Sequence, residues 1–446
     1  MNAPICDFVK KFNKKHSVRF HVPGHKGKKF IGNEHLDITE ITNADTLFNA
    51  QGIILESQQN ASSLFGCTTF YSTEGSSLSI RAMLHLICLY AKVNNKATKI
   101  LSLRNVHKSF LSACALLNVD VDWINTNSQN NSYLSQNFSL EDLDAYLQKT
   151  KTKPVAFYIT SPNYLGEMVD VYSIANICHK HGILLAVDCA HGSYLKFLKN
   201  SQFPIDLGAD ICCSSAHKTL PVLTGGAYLH ISHNAPKIFI EEASNSLSLF
   251  GSTSPSYLIL QSLDNLNKYL ATSYRNKLEN HIVEVENLKA KISLLGIEQI
   301  SNERQKITLA TKSFGYLASD FAEILSKNNI EVEFFDKDFI VLMTSPFIRK
   351  KDLKKLYSTL SKIKKLSPIA EKPPKIEPFE KALSISETLM KETEIVSIDQ
   401  CENRIYAQLN HSCPPAIPIL ICGEKINKNA IEIFKYYGVT HCKVVK

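Results

Sequence analysis

The stretch Cys212-Cys213-Ser214-Ser215-Ala216-His217-Lys218-Thr219-Leu220-Pro221 decides how the rest of the chain is read. It follows Asp210-Ile211, the end of a short apolar segment of strand character. A lysine then sits in a Ser/His-rich turn, closed by Pro221 and by Gly225-Gly226. Its neighbours are small, polar and hydroxylic. A partly desolvated amine sheds its proton more readily and becomes a nucleophile. Lys218 is therefore placed to form an imine with an aldehyde. Taken alone, Ser-Xaa-His-Lys is equally the pattern of an ordinary turn lysine.

Asp188 sharpens the choice. Ile183-Leu184-Leu185-Ala186-Val187-Asp188 is a continuous apolar run ending in a carboxylate, the pattern of a buried parallel strand. Open α/β sheets bind ligands at the carboxyl ends of such strands. Alone, Asp188 could as well cap a following helix. A lysine and a carboxylate on successive strand ends are a rarer pair, and they suit pyridoxal 5'-phosphate. The acid would keep a pyridine nitrogen protonated, which makes the ring an electron sink. Thr73-Glu74-Gly75-Ser76-Ser77 adds to this. It lies between a short strand (Thr68-Thr69-Phe70-Tyr71) and a helix from Leu78 to Ala91, and puts hydroxyls and free N–H groups at a helix N-terminus. A plain serine N-cap has the same letters; beside Lys218 and Asp188, the phosphate cradle is the better reading.

The lysine run resembles that of the ornithine/lysine/arginine decarboxylases of the aspartate-aminotransferase fold. So do His21-Val22-Pro23-Gly24-His25-Lys26-Gly27, Asp37-Ile38-Thr39-Glu40, Arg104-Asn105-Val106-His107-Lys108-Ser109 and Thr160-Ser161-Pro162-Asn163-Tyr164-Leu165-Gly166. Thr253-Ser254-Pro255-Ser256-Tyr257 and Pro414-Pro415-Ala416-Ile417-Pro418 extend the match over nearly the whole chain. The length fits the shorter members, which lack an N-terminal receiver-like domain. The resemblance implies an α/β, fold type I, pyridoxal-phosphate-dependent enzyme, with a mainly parallel sheet flanked by helices and smaller α+β C-terminal domains.

The resemblance also implies roles. Lys218 carries the cofactor, Asp188 faces its ring nitrogen, and His107 stacks on the ring. His191 lies at the ring edge or touches substrate, while Gly75, Ser76, Ser77, Ser215 and Thr253 complete the cofactor's surroundings. Lys218 or His217 returns a proton to Cα. The substrate would be a small basic amino acid, arginine before lysine or ornithine, released as its amine in polyamine metabolism. The alternatives are an aminotransferase or lyase of the same fold, or a non-catalytic regulator that keeps it. The loop before Tyr257 would reach the phosphate bound by a partner subunit, so a homodimer or larger homo-oligomer with shared sites is implied. Several positions depart from the family's pattern. Glu74 stands for Asn, Cys189 for Glu, Tyr194-Leu195 for His-Phe, Gly225-Gly226 for a Gln-containing pair, Cys413 for Tyr and Ala416 for Gly.

Composition narrows the rest. The 446 residues, 44% of them hydrophobic, can bury a large core and form two or three domains. A net charge of +8 is modest and scattered, and the clusters at Arg349-Lys350-Lys351 and from Lys362 to Lys365 read as solvated helix faces, not a nucleic-acid stripe. Twelve cysteines show no CxxC pair and no metal-type spacing, so no metal is expected and the thiols should be free in a reducing cytoplasm. No apolar run has membrane-spanning length. The expected division is an arm over 1–30, a large cofactor-binding domain over 31–256, a bridging helix and small α+β domain over 257–366, and a linker with a C-terminal domain over 367–446. The bridging helix should run from Tyr257 to about Leu294, a strand should cover Ile330 to Phe335, and the polar run Ser128 to Gln136 should be a surface loop.

Overall fold

The computed structural model describes residues 1–124, 132–135, 138–411 and 415–446. Its main sheet has seven strands: β1 (Thr68–Ser72), β2 (Lys99–Ser102), β3 (Asp120–Trp123), β4 (Ala156–Thr160), β5 (Leu184–Asp188), β6 (Ile211–Ser214) and β7 (Ala227–Ile231). Their order is β1-β7-β6-β5-β4-β2-β3. β2 pairs parallel with β3 and β5 with β6, whereas β7 runs against both its neighbours. The sheet is thus mainly parallel and α/β in class. Its central strands are apolar along their length because both faces are covered, as βαβ connections require.

The chain forms two compact units. The first comprises Met1–Thr98, Val155–Phe157 and Val171–Lys277. Phe65 lies in its core, its ring 5.4 Å from Phe197, 5.5 Å from Phe203 and 5.2 Å from Tyr228. The second comprises Lys99–Pro154, Tyr158–Asp170 and Leu278–Lys446. It holds an antiparallel sheet of β8 (Glu298–Gln299), β9 (Lys306–Ala310), β10 (Phe334–Phe335) and β11 (Phe339–Met343), and a ribbon of β12 (Thr393–Ser397) and β13 (His441–Val445). Tyr164, left between packed aromatic and pocket wall by its sequence, is packed. Its ring meets Phe334 edge-on at 5.3 Å and its hydroxyl lies 3.2 Å from Glu333 Oε1.

Three expectations need correction. The helix from Tyr257 is two helices, Tyr257–Leu270 and Tyr274–Leu294. Thr272 Oγ1 donates back to the carbonyls of Lys268 and Tyr269, and such local bonds compete with the helical ladder. The strand expected over Ile330 to Phe335 is only Phe334–Phe335, the two residues that pair with Val341 and Ile340. Ser132, Tyr133, Leu134 and Ser135, expected on a surface loop, are buried. Tyr133 and Leu134 join a core with Ile398, Tyr406 and Phe434, two apolar anchors inside a polar run. The remainder of that run, 128–131 and 136, lies outside the described residues.

Candidate active site

In the first unit β5 and β6 lie side by side and parallel, with Asp188 opposite Cys213 in register. Their carboxyl ends carry Asp188 and, four residues past Ser214, Lys218. Ser215 N–H donates to Ala190 O at 3.3 Å, tying the two strand-end loops together. Asp188 is buried. Its Oδ1 accepts the Ala190 N–H at 3.0 Å and lies 3.5 Å from the Cys213 thiol. Burial pushes the thiols of Cys189, Cys212 and Cys213 well up, so they stay protonated, and the Cys213 thiol is the one that reaches the acid.

Lys218 and His217 are neighbours that point to different partners. Lys218 Nζ lies 3.2 Å from His191 Nε2. His217 Nδ1 lies 2.9 Å from the carbonyl of Gly226. A carbonyl only accepts, so Nδ1 carries the hydrogen and Nε2 is left with a lone pair. Burial lowers the His217 pKa, the Gly226 bond opposes this, and the Lys218 charge adds to the lowering.

The Gly75-Ser76-Ser77 turn begins the helix Gly75–Val93. Gly75 adopts φ +69 and donates its N–H to Gly225 O at 2.7 Å. A Cβ on Gly75 would stand 3.9 Å from His217 Cε1, so this helix start and the lysine turn share one corner. Gly225 adopts φ +100, and a Cβ there would meet Thr73 O at 2.7 Å. Only glycine fits, which gives the departure at Gly225 its physical reason. Glu74 is exposed and turned aside: its Oε1 accepts the Ser252 N–H at 2.6 Å, in the exposed loop that carries Thr253.

His107 belongs to the second unit. It caps the helix Lys108–Leu117, its Nδ1 accepting the Ser109 N–H at 3.2 Å and lying 2.9 Å from Ser109 Oγ. The neutral ring therefore carries its proton on Nε2. The first helical residue, Lys108, donates its N–H to Ala416 O at 2.9 Å. Three residues before His107, Arg104 forms a fork with Glu424, at 2.6 and 2.7 Å. The fork was not singled out from the sequence and had no local signal there; Gly225 was noted as a departure from the family's pattern, but without its physical reason. Cys413 lies outside the described residues. Among the described residues no His/Cys/Asp/Glu group is arranged to hold a metal ion, and no helix is long and apolar enough to cross a membrane.

The first unit's corner fits an aromatic aldehyde phosphate. It offers an amine, a buried acid, an N-terminal helix turn with hydroxyls, and Ser215 Oγ, which is buried without a hydrogen-bond partner. Solved lysine decarboxylase structures match nearly all of the chain. Lysine decarboxylase A from Pseudomonas aeruginosa has a TM-score of 0.82 at 17% identity, over 99% of this chain and 80% of that one. The constitutive lysine decarboxylase of E. coli has 0.78 at 16%, over 100% and 82%. That likeness defines the class of fold, type I of the pyridoxal-phosphate enzymes. The arginine decarboxylase of Bacillus subtilis (strain 168) is 29% identical over 97% of this chain and 93% of its own. The models of the Orn/Lys/Arg decarboxylase major domain and C-terminal domain match residues 3–314 and 371–442. The chain belongs to the Orn/Lys/Arg decarboxylase family and is a pyridoxal-phosphate-dependent amino acid decarboxylase.

Proposed function

We propose that the substrate is a basic amino acid, arginine ahead of lysine and ornithine, and that the amine produced feeds polyamine metabolism in the cytoplasm. The observation that carries this reading is the meeting of Lys218 with His191 beside Asp188, at the carboxyl ends of two adjacent parallel strands. The arginine decarboxylase similar over 97% of the chain supports arginine.

Lys218 is the amine that holds the cofactor, and Asp188 holds a proton at the ring nitrogen. Gly75, Ser76 and Ser77 take the phosphate, Thr253 reaches the phosphate bound by a partner subunit, Ser215 completes the cofactor's surroundings, His107 lies against the ring, and His191 orients the Lys218 amine. When bound, the cofactor takes up the electron pair left at Cα as CO2 departs. Lys218 and His217 are the groups able to return a proton to Cα. His217 can act only through Nε2, which has first to take up a proton, because its Nδ1 hydrogen is held by Gly226. Asp188 is buried, so the acid meets the ring nitrogen away from bulk water.

The active form is a homodimer or larger homo-oligomer with shared sites. Val18, Phe20 and Phe30 in the N-terminal arm and Ile31 just past it are 80%, 93%, 90% and 83% exposed, an apolar surface that a second copy covers. The division into arm, large domain, small domain and C-terminal domain at 30, 256 and 366 belongs to the same reading.

Purified enzyme supplied with cofactor and each of arginine, lysine and ornithine is the test, followed by CO2 release and amine chromatography. Agmatine should be the main product, and Lys218→Ala should lower turnover by at least ~10³-fold. Formation of a keto acid without CO2, or no product from any of the three, would sink the reading.

A further inference from the structure

The Arg104–Glu424 fork is among the best-buried ion pairs of the molecule, with side-chain exposures of 11% and 4%. Both arms are engaged: Nη1 reaches Oε1 at 2.6 Å and Nη2 reaches Oε2 at 2.7 Å. Oε2 also accepts the Ile421 N–H at 2.8 Å, and the guanidinium lies over the Phe379 ring at 5.3 Å from its centroid. Glu424 is held rigidly at its own end as well. Its backbone carbonyl accepts from Tyr406, and Gly423, at φ +98, packs where a Cβ would meet Leu383 O at 2.4 Å.

Arg104 follows β2 and opens the short run that ends at His107. The far end of that run is fastened separately, by the Lys108 N–H to Ala416 O. Both anchors come from the C-terminal segment. His107 thus sits between two points fixed to residues 416 and 424, while its own Nδ1 is fixed by Ser109. A ring held at both flanks and at one nitrogen has little freedom to tilt. Two charges are costly to bury, and their enclosure yields geometry more than stability.

We propose that Arg104, Glu424 and the Ala416 carbonyl are positioning groups for His107, so that the C-terminal segment sets the plane of that ring. This rests on the reading of His107 as the side chain that lies against the cofactor. Glu424 touches neither substrate nor cofactor in this scheme; it acts through Arg104 and the 104–107 run.

Four variants of the enzyme test this. Glu424→Gln keeps the shape and removes the charge. Lys108→Pro removes only the N–H that reaches Ala416; proline is tolerated at a first helical position, and His107 at φ −69 and ψ 147 already has the conformation proline asks of its predecessor. Lys108→Ala, which keeps the N–H, is its reference. His107→Ala reports on the underlying reading. Visible circular dichroism of the bound cofactor reports its tilt, and amide hydrogen exchange over 104–113 in cofactor-free protein reports local order. Both E424Q and K108P should change the dichroism, speed exchange in that peptide about tenfold or more, and lower kcat about tenfold or more with little change in KM. K108P keeps the test open should E424Q fail to fold. If H107A alters the dichroism while K108P matches K108A in all three measurements, the positioning proposal falls and the His107 reading stands. If H107A leaves the dichroism and kcat unchanged, both fall together.

Discussion

Asp188 and Glu424 are carboxylates of equal burial, 2% and 3% exposed, yet they are built into opposite surroundings. Asp188 ends a parallel strand, where it accepts a backbone N–H and meets a protonated thiol. Glu424 lies in a glycine-tight turn and is answered by a guanidinium with two short bonds. The first arrangement stands at a strand end, on the strand beside the one that leads to Lys218; the second ties its charge to a guanidinium. Substitution should separate them: at Glu424 the stability falls most, with the rate following through His107, and at Asp188 the rate falls most.

The largest effect is expected at Glu424. Glu424→Ala leaves Arg104 charged and buried, and unfolding by urea should show a loss of about 3–5 kcal/mol. A loss below about 1 kcal/mol would mean that Arg104 finds water, and the contrast with Asp188 would dissolve. Asp188→Asn should do the reverse. The amide preserves size and the Ala190 contact, so stability should shift by no more than about 1 kcal/mol. Turnover should fall by about 10²–10³-fold, since a charge placed for the reaction is removed from a dry site. Steady-state kinetics and a melt on the same sample decide this.

These two acids also mark how far the sequence could be read. Asp188 and Lys218 are legible because each is announced locally, one by an apolar run that stops at a carboxylate, the other by a small-residue turn. The right-handed βαβ rule then makes their strands neighbours. The Arg104–Glu424 pair is 320 residues apart and has no local pattern; any of the 42 acids could have answered that arginine. The break at 271–273 contains neither Gly nor Pro, so the apolar spacing runs straight through it. Tyr133 and Leu134 were hidden because burial of two side chains does not alter the polarity of the seven around them. Gly225 was visible as a glycine, but its need to clear Thr73 O is a tertiary fact.

Acid should strike the first unit in a way that sharpens the contrast further. His230 is fully buried between Thr69 Oγ1 at 3.0 Å and Ser214 Oγ at 2.9 Å, directly behind the strand that leads to Lys218. Burial, helped by the Lys196 charge, lowers its pKa from 6.5 to about 3. The folded state therefore stays neutral there while the unfolded chain takes up a proton below pH 6.5. Stability is complete above 6.5 and is lost as pH falls towards 3, at about 1.4 kcal/mol per pH unit. Between pH 7 and 4.5 this group alone should cost roughly 2–3 kcal/mol. His230→Gln should be less stable at neutral pH but lose less on acidification, and urea melts at the two pH values measure the difference. Equal losses in both proteins would mean that His230 is protonated inside the fold.

The smallest effect belongs to the Glu424 side of the comparison and turns on one methyl group. Ala416 adopts φ +57, a region that costs an alanine about 1–2 kcal/mol, and it stands where the family's pattern has glycine. Its carbonyl still accepts the Lys108 N–H, so the strained conformation is the one that fastens the His107 run. Ala416→Gly removes the Cβ clash but adds conformational freedom to the unfolded chain, worth about 0.4–1 kcal/mol against folding. At a positive φ the first term is the larger, so the variant should gain about 0.5–1 kcal/mol in a urea melt while the Lys108 bond persists. A loss of stability on making this substitution would show that Ala416 is not held in the left-handed region in solution. The carbonyl would then be free to turn, and the C-terminal segment could not act as a fixed anchor beside the fork.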